Sequence, residues 1–186
     1  MVVIDATILL LMLRPETPIP NKDSVDRPRE RISFLVKQLD KSKTKIIVPT
    51  PALSEALVRV GASASQEIIA HLNRYSVFSI QDFDTRAAIE VAAMTREAQK
   101  TGNKRGSSNA SWAKVKFDRQ IVAIARVHKA STIYSDDQDI AGLCRGSAIS
   151  VLSIGELPLP PEKAQRDMFE GLAHNPQESG DEEASR

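Results

Sequence analysis

The sequence predicts an α/β protein with three layers, α/β/α, in which helices cover both faces of a mainly parallel, five-stranded sheet. Three observations lead to this prediction. Strand-like and helix-like segments alternate along the chain, which is typical of parallel β-α-β units. The first strand-like run, Val2–Ile4, consists only of β-branched residues, as buried strands often do. A length of 186 residues with 41% hydrophobic and 26% charged residues is ordinary for a single globular domain.

The first part of the chain is predicted to contain a strand, a helix and a proline-rich loop. The strand covers residues 2–5, and the helix after it stops near Arg14 and Pro15, because proline cannot continue a helix. Residues 16–30 combine prolines with several charges and are predicted to be a loop insertion. Helical spacing resumes over residues 31–39, where one face carries Ile32, Leu35, Val36 and Leu39.

The remaining elements continue the alternation. A strand at residues 45–48 is followed by Thr50 and Pro51, which are predicted to be the N-cap and the first residue of a helix that ends at Gly61. Further strands are predicted at residues 77–80, 132–134 and 148–154. Further helices are predicted at residues 64–74, 84–100, 117–129 and 137–143.

Composition also indicates where the domain ends. Residues 1–157 are predicted to form one domain, and residues 158–186 a disordered C-terminal tail, because proline, glutamate, serine and glycine dominate there. The formal net charge of +1 hides an asymmetry, since residues 161–186 carry three basic and seven acidic side chains. The other 160 residues therefore carry a net charge of +5, which is compatible with a polyanionic partner.

Cysteine usage and hydropathy predict neither disulfide bonds nor a membrane segment. Cys144 is the single cysteine and is predicted to be a small buried hydrophobe. The apolar run at the start of the chain is interrupted by Asp5, lacks a basic leader and is shorter than the roughly 20 residues that a membrane helix needs. The expected compartment is therefore the cytoplasm.

Four acidic residues occupy comparable positions relative to the predicted strands. Asp5 follows the first strand, and Glu55 lies in the helix after the second. Asp118 is predicted to open a helix, and Asp137 follows the fourth strand. Because parallel strands end at one edge of the sheet, we expect these carboxylates to gather there, where Mg²⁺ or Mn²⁺ would find suitable oxygen ligands. The sequence therefore predicts a divalent-metal site.

Each acid also has an ordinary structural explanation. Asp5 could cap the helix that follows it, and Glu55 could be a solvated helix residue. Asp118 could be a first-turn acid that the helix dipole favours. The acids at residues 136–139 could form a polar turn. Their order and their placement at strand ends together favour the metal site.

Four short motifs resemble those of the PIN domain, the nuclease fold of bacterial VapC-type toxins. Residues 3–7, Val-Ile-Asp-Ala-Thr, resemble the opening motif of that family. Residues 49–55 resemble the second motif, in which the acid lies in the helix after strand two. Residues 117–125 are similar to the third motif, which begins at an aspartate, and residues 135–140 to the fourth. The resemblance extends over about residues 2–154 of the chain.

The resemblance implies a sheet order of 3-2-1-4-5, with Asp5 at the central strand. It implies a catalytic quartet formed by Asp5, Glu55, Asp118 and Asp137. Mg²⁺ or Mn²⁺ would bind to Asp5, Asp118 and Asp137, with Glu55 as a direct or water-mediated ligand. The supporting residues would be Thr7, Ser135, Asp136 and Asp139.

The resemblance also implies a function and partners. A water activated by the metal would attack an RNA phosphodiester in line, and a 3′-hydroxyl would leave. Expected partners are RNA, a cognate antitoxin that blocks the site and, as a homodimer, a second copy of the chain. The alternative is a non-catalytic PIN-like module that binds RNA or protein.

Some features depart from the family pattern. Ile140 stands where the family usually has an aromatic residue. Asp136 and Asp137 are adjacent, which leaves open which of the two faces the metal. The loop at residues 16–30 and the segment at 100–116 are longer than a compact toxin of this family needs, and the tail has no counterpart.

A basic segment leads into the third acidic motif and could hold the substrate. Residues 96–119 carry a net charge of +5, and Trp112 among them could stack on a base. The alternative is a solvated charged loop with Trp112 in the core. The candidate RNA-binding residues are Lys104, Arg105, Lys114, Lys116 and Arg119.

Overall fold

A single five-stranded parallel sheet organises the chain. The computed structural model describes residues 1–14 and 25–161. The strands are β1 (Val2–Ile4), β2 (Ile46–Pro49), β3 (Phe78–Gln81), β4 (Thr132–Tyr134) and β5 (Ser150–Leu152). Their order is β3-β2-β1-β4-β5, and every neighbouring pair is parallel. This confirms the predicted fold class and order, and it places the end of β1 at the middle of the carboxyl edge.

Helices cover both faces of the sheet, as the three-layer prediction requires. One face is covered by α1 (Ala6–Leu13), α2 (Pro28–Lys41), α3 (Thr50–Val60) and α4 (Ala62–Arg74). The other face is covered by α5 (Thr85–Lys100), α6 (Trp112–Val127) and α7 (Gln138–Cys144). A short 3₁₀ turn, Ile154–Glu156, follows β5.

Alternation along the strands divides the interior into two hydrophobic cores. Val2 and Ile4 point into the core beneath α1 to α4, whereas Val3 belongs to the core beneath α5 to α7. Ile47 and Ile133 pair with Val3 from the strands on either side and are fully buried in that second core. Three neighbouring strands thus present one continuous apolar layer to α6, which fixes the position of α6 against the sheet.

Helix α6 begins at Trp112, so the prediction that it begins at residue 117 is wrong. The hydroxyl of Ser111 accepts a hydrogen bond from the backbone N–H of Lys114 at 3.2 Å, which is an ordinary serine N-cap. Asp118 consequently lies in the second turn rather than at the start of the helix. Lys114 precedes Asp118 by one helical turn, on the same face.

Thr50 is the first residue of α3 rather than its cap, because Pro49 occupies the capping position. The Thr50 hydroxyl accepts a hydrogen bond from the backbone N–H of Phe83 at 3.1 Å and so ties α3 to the segment after β3. At the other end, Gly61 has φ +81° and ends α3 as predicted.

Two of the predicted irregular regions fall largely outside the described residues. Of the loop predicted at residues 16–30, residues 16–24 lie outside, and α2 already begins at Pro28. Of the predicted tail, residues 162–186 lie outside. In the part of the chain that is described, no helix is long and apolar enough to cross a membrane. Cys144 is buried, as predicted.

The central apolar layer gives a direct test of this packing. Replacing the fully buried Ile47 with alanine should lower the free energy of unfolding by about 2–5 kcal/mol, because a cavity opens between β2 and α6. Urea unfolding followed by circular dichroism measures the change. The same substitution at Ile89, which is 61% exposed on α5, is the matched control and should change stability by less than about 0.5 kcal/mol. Equal losses at both positions would contradict the described packing.

Candidate active site

A cavity of about 1030 Å³ lies at the carboxyl edge of the sheet, where parallel sheets usually bind ligands. Its walls include the residues that follow β1 and β4, together with parts of α3 and α6. The cavity is lined by all four acids of the predicted quartet: Asp5, Glu55, Asp118 and Asp137. The four acids that the sequence analysis grouped together thus line one cavity, and their catalytic role stays a prediction.

Asp5 lies at the end of the central strand and is held by two hydrogen bonds. One carboxylate oxygen accepts from the backbone N–H of Ile8 at 2.8 Å and caps α1. The other accepts from the hydroxyl of Ser135 at 2.5 Å. The residue is only 7% exposed, and this burial raises the pKa of Asp5 to about 6, although both hydrogen bonds lower it. The helix-cap and site interpretations of Asp5 are therefore compatible.

Three other carboxylates surround the ammonium group of Lys114. Its Nζ lies 2.8 Å from Asp118, 2.7 Å from Asp137 and 3.0 Å from Asp139. The carboxylate oxygens of these three acids lie within 4.8 Å of one another, so they could hold a metal ion. We call Asp118, Asp137 and Asp139 the carboxylate cluster. Lys114, which is also a predicted RNA-binding residue, neutralises part of this cluster.

The pKa values in the cluster follow from burial and from Lys114. Burial raises the pKa of Asp118 to about 6, although the hydrogen bond from Lys114 lowers it. For Asp139, burial also acts to raise the pKa, but hydrogen bonds from Ser108 and Lys114 hold it below its usual value. Burial alone would lower the pKa of Lys114, yet its three carboxylate partners raise it well above its usual range. Lys114 is therefore a permanent cation at this position.

Asp136 and Asp137 have different roles, although they are adjacent. Asp137 faces the carboxylate cluster, and its other oxygen accepts from the backbone N–H of Asp139 at 2.8 Å and caps α7. Asp136 accepts a hydrogen bond from the backbone N–H of Ile154 at 2.8 Å and holds the 3₁₀ turn after β5. The sequence left open which of the two faces the metal. Both residues line the cavity, and of the two it is Asp137 that contacts Lys114 and belongs to the carboxylate cluster.

Ser135 connects the two halves of the site. Its hydroxyl donates to Asp5 and accepts from the backbone N–H of Asp137 at 3.0 Å. Ser135 is 3% exposed, so this connection is shielded from water. Thr7, the other predicted supporting residue, lines the cavity.

Glu55 lines the same cavity but stands apart from the carboxylate cluster. It forms an ion pair with Arg59 one turn later on α3, with 2.6 Å between the charged atoms. Asp139, predicted as a supporting acid, belongs to the cluster, whereas Asp5 and Glu55 do not. The metal set of Asp5, Asp118 and Asp137 thus stays a prediction, and the geometry favours Asp118, Asp137 and Asp139.

The chemistry of the donors fits a divalent cation. Mg²⁺ and Mn²⁺ prefer oxygen ligands from several carboxylates. The cluster carries three negative charges, of which Lys114 neutralises one, so the remaining two match one divalent ion. The close approach of the Lys114 ammonium to all three acids shows that a cation is already favoured at this point.

The basic segment surrounds Trp112 with cations. The Nζ atoms of Lys104 and Lys116 lie 4.8 Å and 6.0 Å from the centre of the indole ring, and the Arg119 guanidinium carbon lies at 5.6 Å. Trp112 is half-buried, so it is neither core filler nor a fully free stacking face. Arg105 lies on the loop before α6.

Phe117 is a residue that the sequence analysis missed. It is 44% exposed and lines the cavity directly beside Asp118. An exposed aromatic ring at the edge of a carboxylate site offers a stacking surface for a base. The sequence did place an aromatic residue immediately before the aspartate of the third motif. Because the helix was predicted to begin at residue 117, nothing in the sequence indicated an exposed side chain at that position.

Comparison with known proteins shows the fold. No protein-family model and no curated protein matches the sequence. The solved structure of FitAB bound to an IR36 DNA fragment matches with a TM-score of 0.55 and 17% identity, covering 85% of this chain and 98% of that one. VapBC2 from Rickettsia felis, bound to a DNA fragment from its promoter, matches with a TM-score of 0.54 and 14% identity, covering 82% and 97%.

A third solved structure, DNA-bound VapBC from Salmonella typhimurium, matches with a TM-score of 0.51 and 13% identity. It too covers 82% of this chain and 97% of the matched chain. The agreement extends over nearly the whole of each matched chain. At these identities it is a likeness of fold, and it agrees with the PIN-like fold that the motifs implied.

The buried carboxylate of Asp5 predicts a pH-dependent effect on stability. Below pH about 4 the group is protonated in the folded and the unfolded chain, and it contributes nothing. Between pH about 4 and 6 only the unfolded chain loses the proton, so the folded state becomes progressively less favourable. In metal-free buffer, Asp5→Asn should therefore match the wild type below pH 4 and exceed its stability above pH 6, by up to about 3 kcal/mol.

Thermal unfolding at a series of pH values in EDTA measures this difference. Asparagine can still cap α1, so the change isolates the charge. The control is Asp40→Asn, which removes a carboxylate at an exposed position of α2. A wild type that is more stable than Asp5→Asn at pH 7 would contradict the described environment of Asp5.

Lys114 offers a second test, because it is the cation that the three carboxylates share. Lys114→Met should lower the stability of the metal-free protein at pH 7 by about 1–2 kcal/mol, since the carboxylates then repel one another without a counter-charge. Millimolar Mn²⁺ should restore this loss, and thermal unfolding with and without Mn²⁺ measures both effects. Lys100→Met, which breaks an exposed pair with Glu97, is the control and should lose little. Failure of Mn²⁺ to restore stability would argue against a divalent site.

Proposed function

We propose that this chain is a divalent-metal-dependent endoribonuclease of the PIN/VapC type and acts as the toxin of a toxin–antitoxin pair. The observation that supports this most strongly is the carboxylate cluster around Lys114, two acids of which, Asp118 and Asp137, line one cavity with Asp5 and Glu55. The likeness of fold to FitAB and VapBC adds support. Hydrolysis of RNA phosphodiester bonds is the reaction that such a site suits best.

The chain's own residues have definite roles in this proposal. Asp118, Asp137 and Asp139 would hold Mg²⁺ or Mn²⁺. The bound ion would lower the pKa of a water molecule and stabilise negative charge on the phosphodiester. Ser135 fixes Asp5 relative to Asp137, because its hydroxyl contacts both residues.

Lys114 would change partners when the site is loaded. In the structure its ammonium group forms ion pairs with the three acids of the carboxylate cluster. With a divalent ion on these carboxylates, the ammonium of Lys114 would be free to contact a phosphate oxygen of the substrate. The predicted role of Lys114 in RNA binding and its observed position are thus compatible as two successive states.

The surface beside the site suits a single-stranded nucleic acid and also a protein partner. Phe117 would stack on a base, and the basic residues around Trp112 would contact the backbone. Val58 is 82% exposed and lines the same cavity, so an apolar side chain of a partner protein could pack there. We infer that a cognate antitoxin blocks the cavity, that the chain can form a homodimer, and that the cytoplasm is the place of action.

A non-catalytic module that binds RNA or protein is the second candidate. It is favoured by one specific observation, namely that the chain's own cations already neutralise the acids, Lys114 in the cluster and Arg59 at Glu55. In that case the acids would hold the fold together and would not bind metal. Metal binding therefore separates the two candidates.

The adjacent aspartates provide a matched pair of variants for the nuclease. Asp137→Asn should lower Mn²⁺-dependent cleavage of a labelled single-stranded RNA at least about 100-fold, because several kcal/mol of charge stabilisation are lost. Asp136→Asn should retain most activity, since asparagine can still accept the hydrogen bond from Ile154. Single-stranded DNA and a phosphate monoester, tested in parallel, define the substrate class.

Thermal melts complete the experiment. Mn²⁺ at 100 times its dissociation constant should stabilise the wild type by about 2.7 kcal/mol and Asp137→Asn by much less. If Mn²⁺ leaves the wild-type melt unchanged and no RNA is cleaved, the non-catalytic candidate is correct. If Asp136→Asn rather than Asp137→Asn abolishes cleavage, the assignment of Asp137 is wrong.

A further inference from the structure

Arg119 is an unusually buried cation. It follows Asp118 on α6, its side chain is only 1% exposed, and it is among the largest fully buried side chains of the described residues. One terminal nitrogen donates to the hydroxyl of Thr95 at 3.0 Å, and the guanidinium lies against the ring of Trp112. Among the described residues, its Nε has no hydrogen-bond partner.

No carboxylate compensates this charge within the described residues. No acidic group there lies within ion-pair distance of Arg119. Arginine remains protonated in proteins. A buried charge without a counter-charge is strongly unfavourable, so the environment of Arg119 calls for an anion.

A second cavity provides the space for that anion. It has a volume of about 750 Å³ and lies between α5, α6 and α7. We call it the arginine pocket, because its lining includes Arg105, Arg119, Arg126 and Arg145. Arg126 has an acidic partner, Glu90, at 3.8 Å, whereas the other three have none in the described part of the chain.

The acids that line the arginine pocket are already paired with lysines. Glu97 lies 2.9 Å from Lys100. Asp118 and Asp139 belong to the carboxylate cluster and face Lys114. The pocket therefore keeps an excess of positive charge. It adjoins the candidate active site, because Asp118 and Gln138 line both cavities.

We propose that the arginine pocket binds a backbone phosphate of the RNA strand, next to the phosphodiester that lies at the carboxylate cluster. This inference rests on the proposed function, which places a phosphodiester of the RNA strand at the carboxylate cluster. A polynucleotide fits better than an acidic peptide, because its charges repeat along one backbone and a second phosphate follows the first. Planar guanidinium groups recognise phosphate oxygens in pairs.

The test measures RNA binding without cleavage. The probe is a fluorescein-labelled single-stranded RNA, titrated with the full chain in EDTA and followed by fluorescence anisotropy. Arg145→Gln, at an exposed position on the pocket rim, should weaken binding about tenfold, as expected for one lost charge-assisted contact. The slope of log Kd against log salt should fall by about 0.7, the value for one phosphate contact on a single strand.

Arg74→Gln is the matched control. Arg74 is exposed at the end of α4, directly before β3, and so lies at the amino edge of the sheet, opposite the site. This variant removes the same charge and should leave both the affinity and the salt slope unchanged. If Arg74→Gln and Arg145→Gln weakened RNA binding equally, the effect would come from the net charge of the protein, and the proposal would be overturned.

Arg119→Met separates ligand binding from a structural role. Replacing an uncompensated buried charge with an apolar side chain of similar length should leave the melting temperature of the free protein unchanged or raise it. RNA binding should weaken at least about tenfold. The opposite result would be a lowered melting temperature of Arg119→Met together with an RNA affinity of Arg145→Gln equal to that of the wild type. It would show that Arg119 has only a structural role.

Two further probes identify the source of the phosphate. A set of RNAs, each with one neutral methylphosphonate linkage, should show one position that weakens binding by the wild type but not by Arg145→Gln. If inorganic phosphate stabilises the wild-type melt and no methylphosphonate position matters, the pocket takes a free anion and the RNA proposal is wrong. All binding is measured in EDTA, so it does not depend on cleavage. A positional effect in EDTA together with no cleavage of the same RNA in Mn²⁺ would support this pocket and reject the nuclease proposal.

Discussion

The negative charge gathered at the carboxyl edge of the sheet is the constraint on which the rest of this structure depends. The parallel order places Asp5 at the end of the central strand, β1, and Asp137 shortly after the neighbouring strand, β4. Helix α6 then carries Asp118 to the same cavity. Buried carboxylates at short range destabilise one another unless hydrogen bonds or cations compensate them. The local structure around the site consists largely of such compensation.

Two kinds of compensation are present, and they differ in their consequences. Asp5 is held by a backbone N–H at the start of α1 and by the Ser135 hydroxyl, which are fixed parts of the fold. The carboxylate cluster is held by the flexible side chain of Lys114, 42% of which is exposed. A fixed dipole cannot be exchanged, whereas a side-chain cation can be replaced by another cation. The cluster is therefore the part of the cavity that is suited to a metal, and Asp5 the part that anchors it.

Opposite charges on neighbouring residues of α6 connect the carboxylate cluster with the arginine pocket. Asp118 and Arg119 are consecutive on α6, so one helix brings a buried acid and a buried base to two neighbouring cavities. The acid is neutralised by Lys114, while the base has no acidic partner in the described part of the chain. Opposite charges side by side in this way suit a ligand that combines a cation with a polyanion, as a metal-bound nucleic acid does.

The sequence by itself determined the alternation of elements, the parallel sheet and the position of Asp5 and Asp137 at strand ends, because hydrophobic period and motif spacing are local properties of the chain. It could not determine that Lys114 faces three acids or that Asp137 rather than Asp136 contacts Lys114. Those facts depend on a helix start set by Ser111 and on Ile154 from beyond β5, which is 18 residues away from Asp136. Only the tertiary structure brings such groups together, because side-chain direction and counter-charge are decided by neighbours that are distant in sequence.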